Sequence, residues 1–272
     1  MLTTLPIPTR RNGLFTTNRG DLEHPSLWDG LSLVYFPHND GGGAKLKGYG
    51  ELATDADLNG GYSWVESEIG RMVRFDGADG SYGDTNNTEW INKIDGSDFS
   101  WHMWGISEGT LSNNERLWGT EDSTGGNPSV FASVKGVSGD DDPQIQTLIK
   151  NEGGDSFLSK TTDTNVDVST RPISFCCSID WSDAAAGSPT AGAGVLTLNG
   201  AVEADTQQGS GIDSMGNCDH SVYIAARNRD DGHLSEIDFT FSTIAWWTRL
   251  LSAGEQRLLG TDPFVLCRRR SS

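Results

Sequence analysis

At 272 residues the chain is long enough to bury a sizeable core, and 34 Gly beside a hydrophobic fraction of 35% is the profile of many short strands joined by polar loops. Nine Trp and ten Phe spread along the sequence exclude a disordered chain. A formal net charge of −18 repels a phosphate backbone and excludes nucleic-acid binding by the body of the protein.

Residues 1–25 read as an extended N-terminal arm, Pro-bearing at first and then polar, with Arg10 and Arg11 close to its start. The arm holds no apolar run of signal-peptide length, and no later stretch approaches the roughly 18 apolar residues of a membrane helix. Synthesis in the cytosol is therefore expected, with any exterior role reached by another exit such as lysis.

Residues 26–262 carry the strand pattern. Leu31-Ser32-Leu33-Val34-Tyr35-Phe36 is stopped by Pro37 and the Gly run at 41–43. Residues 44–70 read as loop-rich, and Met72-Val73-Arg74-Phe75 forms a short strand closed by Asp76-Gly77. Phe99, Trp101 and Met103 alternate with Ser100, His102 and Trp104, the period of a strand. Further strands are expected at 115–118, 129–135, 144–150, 173–181, 195–198, 201–204, 221–226 and 236–247. Asn199-Gly200 between Leu198 and Ala201 signals a tight hairpin.

One helix is expected. Ser252 caps the amide three residues on and Glu255 reaches back, a capping box, with Gly260 ending about two turns and Pro263 preventing resumption. Residues 263–272 form a basic tail with Arg268, Arg269 and Arg270. These elements predict an all-β fold: a two-sheet antiparallel sandwich with one short helix on the C-terminal side.

The four cysteines, Cys176, Cys177, Cys218 and Cys267, show neither a disulfide framework nor metal-ligand spacing. Adjacent Cys176 and Cys177 point to opposite faces of a strand, and buried free thiols are expected. The five His show no metal spacing either, and no nucleophile elbow or phosphate-binding loop is present.

The order of segments resembles the laminin-G-like jelly rolls of the concanavalin A-like superfamily. The resemblance is carried by "LSLVYFPHNDGGG", "GRMVRFDGADGSYG", "ISFCCSIDW" followed by "GVLTLNGAVEAD", and "VYIAARNRDDGHLSEIDFTFSTIAWWTRLLSAGEQRLL", together spanning roughly residues 27–262. His24-Pro25 before the first strand and Asp262-Pro263-Phe264 after the helix look like variants of this domain in bacteriophage and prophage structural regions. The resemblance implies a non-enzymatic virion structural protein, a capsid decoration or a tail or fibre component, located on the virion. Its implied partners are other virion proteins, itself as a homo-oligomer, and glycans. A carbohydrate-binding module, and a glycoside hydrolase with a degenerate site, are the alternatives.

Four sets of residues carry these readings. Glu236-Ile237-Asp238-Phe239-Thr240-Phe241 is similar to the catalytic strand of the family 16 glycoside hydrolases, which set two carboxylates and an Asp along one strand face. Here the acid/base position is Thr240, whose hydroxyl cannot serve as a general acid, so a half-buried strand with a polar outer face is expected and no catalytic residue is assigned. Calcium, which relatives hold at a loop rim, is the candidate metal at Asp76, Asp79, Asp230 and Asp231, with Asp140-Asp141-Asp142 beside them; no cofactor is required, and clusters of this size also arise by chance among 38 acidic residues. Trp64, Trp90, Trp104 and Trp118 lie in or near polar, Gly-rich segments and are the candidate sugar platforms, with core packing the plainer reading. Arg10, Arg11, Arg268, Arg269 and Arg270 are candidate assembly contacts, or equally a solvated fringe. Of the adjacent Trp246 and Trp247, one must face away from the core if the strand is regular.

Overall fold

The computed structural model describes residues 18–270 apart from 41, 68–69, 108–114, 122–128, 136–143, 152–156, 163–171, 182–194, 204, 210, 211, 213, 217, 219, 230, 231 and 235. Turns of 3-10 helix at Arg19–Asp21 and Pro25–Trp28 precede β1 (Leu31–Tyr35). A third, Pro37–Asn39, leads to β2 (Lys45–Leu46), β3 (Gly48–Tyr49), β4 (Ala56–Asn59), β5 (Tyr62–Ser67), β6 (Gly70–Asp76) and β7 (Tyr82–Asp84). Helix α1 (Glu89–Ile94) is followed by β8 (Phe99–Ser107), β9 (Arg116–Glu121), β10 (Ser129–Lys135), β11 (Gln144–Lys150), β12 (Phe157–Thr162) and β13 (Ile173–Ile179). Then come β14 (Leu196–Leu198), β15 (Ala201–Val202), β16 (Asp205–Gly209), β17 (Tyr223–Ile224), β18 (Arg227–Arg229), β19 (Gly232–Leu234), β20 (Asp238–Trp247) and helix α2 (Ala253–Thr261).

The strands form a two-sheet antiparallel sandwich. The first sheet runs β15-β14-β13-β8-β20-β1-β3, with β6 beside the first half of β20 and β5 beside β6. The second runs β16-β12-β11-β10-β9-β17-β7-β4-β2, with the β18–β19 hairpin attached to β9. The stretch 44–70, read as loop-rich, holds strands β2 to β5, placed by pairing: β2 and β3 are two residues each, β4 alternates Ala56 and Leu58 into the core over only four residues, and β5 pairs with β6 along its whole length.

Between the sheets lies a core in which tryptophans meet edge to face. Trp118 is 5.5 Å from Trp101, 5.6 Å from Trp90 and 5.7 Å from Trp246, ring centroid to ring centroid, at interplanar angles of 73°, 78° and 90°. Trp90 arrives on α1, a helix absent from the sequence reading; its buried Trp90, Ile91 and Ile94 plug the space between the sheets.

A second apolar layer covers the other face of the first sheet. Leu27, Val34, Cys176, Ala245, Trp247, Leu259 and the run Phe264 to Cys267 pack there under α2. This layer explains the Trp pair: Trp246 enters the inter-sheet core, Trp247 the layer under α2, and both are buried. The same alternation sends Cys177 inward and Cys176 outward, and all four cysteines are buried thiols outside any disulfide, as expected.

The capping box of α2 is formed as read, with Ser252 Oγ accepting from the Glu255 amide and Glu255 accepting from the Ser252 amide at 2.8 Å. Burial tends to raise the Glu255 pKa, but bonds from Arg249 and Ser252 outweigh it and hold the carboxyl below its usual range. Asn199 and Gly200 make the β14–β15 hairpin with φ of 49° and 75°.

The C-terminal segment read as a free basic tail is part of the body. Phe264, Val265, Leu266 and Cys267 are buried, and Arg269 bridges to Leu22, itself buried. Arg268 pairs with Asp262 at 2.6 Å and with Glu23 at 3.9 Å, and Arg269 reaches Asp21 at 3.9 Å. The described part of the arm, 18–25, is thus clasped to the other chain end. Apolar residues on both segments account for it, since charge alone at exposed positions holds little.

Candidate functional site: the outward face of the second sheet

Parity along the strands of the second sheet decides which side chains leave the core. Leu58, Ile224, Trp118, Val130, Ala132, Ile145 and Ile149 point inward. Their neighbours therefore point outward, and register lines them up: Asp57 opposes Asp84, Asp84 opposes Tyr223, Tyr223 opposes Gly119, Gly119 opposes Phe131 and Phe131 opposes Leu148. At about 4.8 Å per strand this row crosses roughly 24 Å of sheet. The covering elements, α2 and the segment 264–267, lie against the first sheet instead.

The centre of the row is an aromatic pair. Tyr82, one pleat from Asp84 on the same face, stacks on Tyr223 with centroids 4.3 Å apart and planes at 15°. Both rings are half-buried. Burial, the Asp84 carboxylate and Tyr82 push the Tyr223 hydroxyl above its ordinary range, so it stays a neutral hydrogen-bonding group. Asp84 accepts from Ser221 Oγ at 2.6 Å and from the Asn86 amide at 2.8 Å, and Asn86 Nδ2 donates to Asp57 at 3.0 Å. Lys45 pairs with Asp57 at 2.9 Å. Further along, Phe131 leans across Gly119, where a Cβ would stand 2.5 Å from that of Phe131, and the Arg116 guanidinium covers the ring at 4.0 Å. Among the described residues the open platform is therefore the tyrosine pair, flanked by oriented carboxylates and amides.

The residues singled out in the sequence lie elsewhere. Trp90 and Trp118 are 1% and 0% exposed in the core, and Trp104 is 6% exposed with its indole donating to the Leu259 carbonyl at 2.7 Å. None of these three presents a face to a ligand, because Trp90 on α1 and Trp118 on β9 enter the inter-sheet core and Trp104 lies on the other face of the first sheet, beneath α2. Trp64 is half-buried, its indole donates to the Gly43 carbonyl at 3.0 Å, and Arg71 lies 5.9 Å from the ring.

Asp76 is exposed and accepts from the Ala78 amide at 3.0 Å, closing its own turn, and Asp79 is exposed beside it. Among the described residues no three His, Cys, Asp or Glu side chains come together to hold a metal ion. Asp230, Asp231, the run 140–142, Arg10 and Arg11 lie outside the described residues.

On β20 the alternation is as read: Ile237, Phe239 and Phe241 are core, while Asp238 makes a two-pronged pair with Arg74 at 3.0 and 3.1 Å and Glu236 accepts from the Gly80 amide at 3.3 Å. Thr240 is buried. The tyrosine pair was missed because Tyr82 sits in a three-residue strand and Tyr223 in a two-residue one, too short for periodicity to show.

Among solved structures the sandwich finds clear counterparts. The binding domain of Paraclostridial Mosquitocidal Protein 1 superposes with a TM-score of 0.55 at 13% identity over 86% of this chain and 52% of that one. The receptor binding domain of botulinum neurotoxin C/D mosaic serotype gives 0.57 at 11% identity, over 86% and 51%. A Trypanosoma rangeli sialidase mutant gives 0.54 at 13% identity, over 88% and 34%. The likeness is one of fold. The chain spans about half the length of the toxin domains and about a third of the sialidase. No family model matches the chain, and no curated protein does.

Proposed function

We propose that the protein is a non-enzymatic glycan-binding sandwich module, with the Tyr82–Tyr223 stack as its platform. The single observation that carries this reading is that stack, set in register with Asp84 on the sheet face turned away from the core. Sugar rings lay their C–H faces on aromatic planes while carboxylates and amides accept and donate to the hydroxyls, and Asp84, Asp57 and Asn86 are already oriented for that task. The reading is supported by neighbours described as receptor-binding domains, one of them, the binding domain of botulinum neurotoxin DC, in complex with SialylT.

A glycan array with full-length protein tests it. Wild type is expected to be retained on at least one glycan, and the paired change Tyr82→Ala/Tyr223→Ala to weaken that retention by about tenfold or more, the loss of roughly 1.4 kcal/mol, with the circular-dichroism spectrum unchanged. Retention on no glycan, or equal retention by the variant, overturns it. Asp238 is committed to Arg74 and Thr240 stands at the acid/base position; release of sugar from a β-glucan or galactan, abolished by Glu236→Gln, would show a hydrolase instead.

A second reading places this module on a virion as a decoration, tail or fibre component. It is favoured by one observation: Glu23, beside His24-Pro25, and Asp262 of Asp262-Pro263-Phe264 meet through Arg268. The two short motifs behind the phage resemblance thus form one structural unit at the clasped chain ends. Detection of the protein in purified particles by mass spectrometry supports it, and its absence from them removes it.

A further inference from the structure

We propose that a second, separate cleft, on the first-sheet side of the molecule, takes a single neutral pyranose unit. The cleft has a volume of about 350 Å³ and is lined by Arg19, Trp28, Gly30, Leu31, Gly50 and Glu51. It borders β1, away from the tyrosine platform on the other sheet.

Trp28 ends the 3-10 turn Pro25–Trp28, and that turn is held from several directions. Trp28 Nε1 donates to the Leu266 carbonyl at 2.7 Å, and Trp247 Nε1 donates to the Leu27 carbonyl at 2.7 Å. Arg249 donates to the Ser26 carbonyl at 3.1 Å and to the Asp29 carbonyl at 2.5 Å, and is itself gripped by Glu255 at 2.6 and 3.0 Å. On the opposite wall the Glu51 amide donates to the Leu31 carbonyl at 3.0 Å. The indole plane is therefore fixed before any ligand arrives, which lowers the ordering cost of binding.

The charges on the rim identify the ligand class. Arg19 is paired with Asp29, and Glu51 with Lys93 at 2.9 Å. Each ionic group has its counter-charge, so the rim offers directional donors and acceptors with no net charge. An ionic ligand would have to displace one of these pairs. A pyranose fits without doing so: its C–H face lies on Trp28, one hydroxyl accepts from Arg19 and another donates to Glu51. The volume is at the small end of ligand sites, roughly 300 to 1,000 Å³, and suits a single ring rather than a longer chain.

The experiment uses full-length protein with ¹⁵N-labelled indoles, titrated separately with the methyl glycosides of glucose, galactose, mannose and N-acetylglucosamine. At least one glycoside is expected to shift the indole N–H signal of Trp28, identified by its loss in Trp28→Phe. Arg19→Ala and Glu51→Ala, both at exposed positions, are expected to weaken that binding by about tenfold, while Tyr82→Ala/Tyr223→Ala leaves it unchanged. No shift of the Trp28 signal with any of the four, or equal affinity in the Arg19→Ala and Glu51→Ala variants, overturns the proposal. Binding lost only in the tyrosine variant sinks this cleft and keeps the second-sheet reading; binding lost only in the Arg19→Ala and Glu51→Ala variants does the reverse.

Discussion

Acidification from pH 6.5 toward pH 3 is expected to destabilise the protein through His102. His102 lies on β8 opposite Cys176 and Ala245, in the apolar layer beneath α2, and is 1% exposed. Its Nε2 is 2.9 Å from Ser174 Oγ. Burial disfavours the imidazolium and pulls the pKa from 6.5 down to about 3. In the unfolded chain the ring takes up its proton near pH 6.5. The folded state thus binds fewer protons between these values, and stability present above pH 6.5 is lost as pH falls toward 3. At about 1.36 kcal/mol per pH unit the loss approaches 5 kcal/mol as an upper bound.

Asp40 works against this. Burial raises its pKa to about 6, so between 3.8 and about 6 the folded state holds a proton that the unfolded chain releases, and acidification favours folding there. Asp40 is only partly buried, so its opposing effect is the smaller. Urea denaturation of wild type and His102→Asn across pH 7.5 to 4 separates the two groups. Relative to its own stability at pH 7.5, the variant is expected to lose less on acidification than wild type, with the Asp40 contribution left behind; parallel curves would remove His102 as a cause.

The second large effect concerns two glycines of α2 and has opposite signs. Propensity alone favours replacing either by Ala, a gain of up to about 1 kcal/mol in a helix. At Gly254, exposed in the first turn, a new Cβ meets only Ser252 Oγ at 4.0 Å, and Gly254→Ala is expected to raise Tm by roughly 2 °C. At Gly260 a Cβ would stand 1.9 Å from Gly200 N, 2.2 Å from Gly200 Cα and 2.6 Å from the Asn199 carbonyl carbon, all backbone atoms of the hairpin tip. That hairpin cannot yield cheaply, because Gly200 sits at φ 75° and a Cβ built on it would stand only 2.8 Å from the Arg257 carbonyl oxygen, so the two backbones already run close together. Gly260→Ala is therefore expected to cost about 1–3 kcal/mol and to lower Tm by roughly 3–10 °C. Differential scanning calorimetry of the two variants tests the sign. A Gly260→Ala protein at least as stable as wild type would show that α2 does not interlock with the β14–β15 hairpin.

The same contact shows why Gly260 reads as a helix stop from sequence while its main role lies elsewhere: α2 runs on to Thr261, and the glycine is needed for close approach of two backbones. Local signals of this kind were legible. The capping box at Ser252 and Glu255, the Asn199-Gly200 turn, the alternation of Ile237, Phe239 and Phe241 and the opposed faces of Cys176 and Cys177 each depend on residues within a few positions of one another, and chain geometry carries them into the fold unchanged.

The candidate site was not legible in this way. Tyr82 and Tyr223 lie far apart in the sequence on strands of three and two residues, and they meet only because register aligns β7 with β17. The tryptophans named instead are set by core demand. A large ring next to polar loops lowers the free energy most by entering the inter-sheet space, as Trp90 and Trp118 do.

The class of fold, two stacked antiparallel sheets, was legible along the chain together with the longer strands and the cap of α2, because side-chain alternation and turn chemistry act over neighbouring residues; the short strands between 44 and 70 and helix α1 were not. Which faces stay open among the described residues followed from long-range packing. Trp247 is buried as deeply as Trp246 because α2 and residues 264–267 cover the first sheet, and the C-terminal arginines are drawn in because apolar neighbours on the same segment join that layer. Which surface is left to meet a ligand is set by what packs against what across the whole chain, and no local pattern records it.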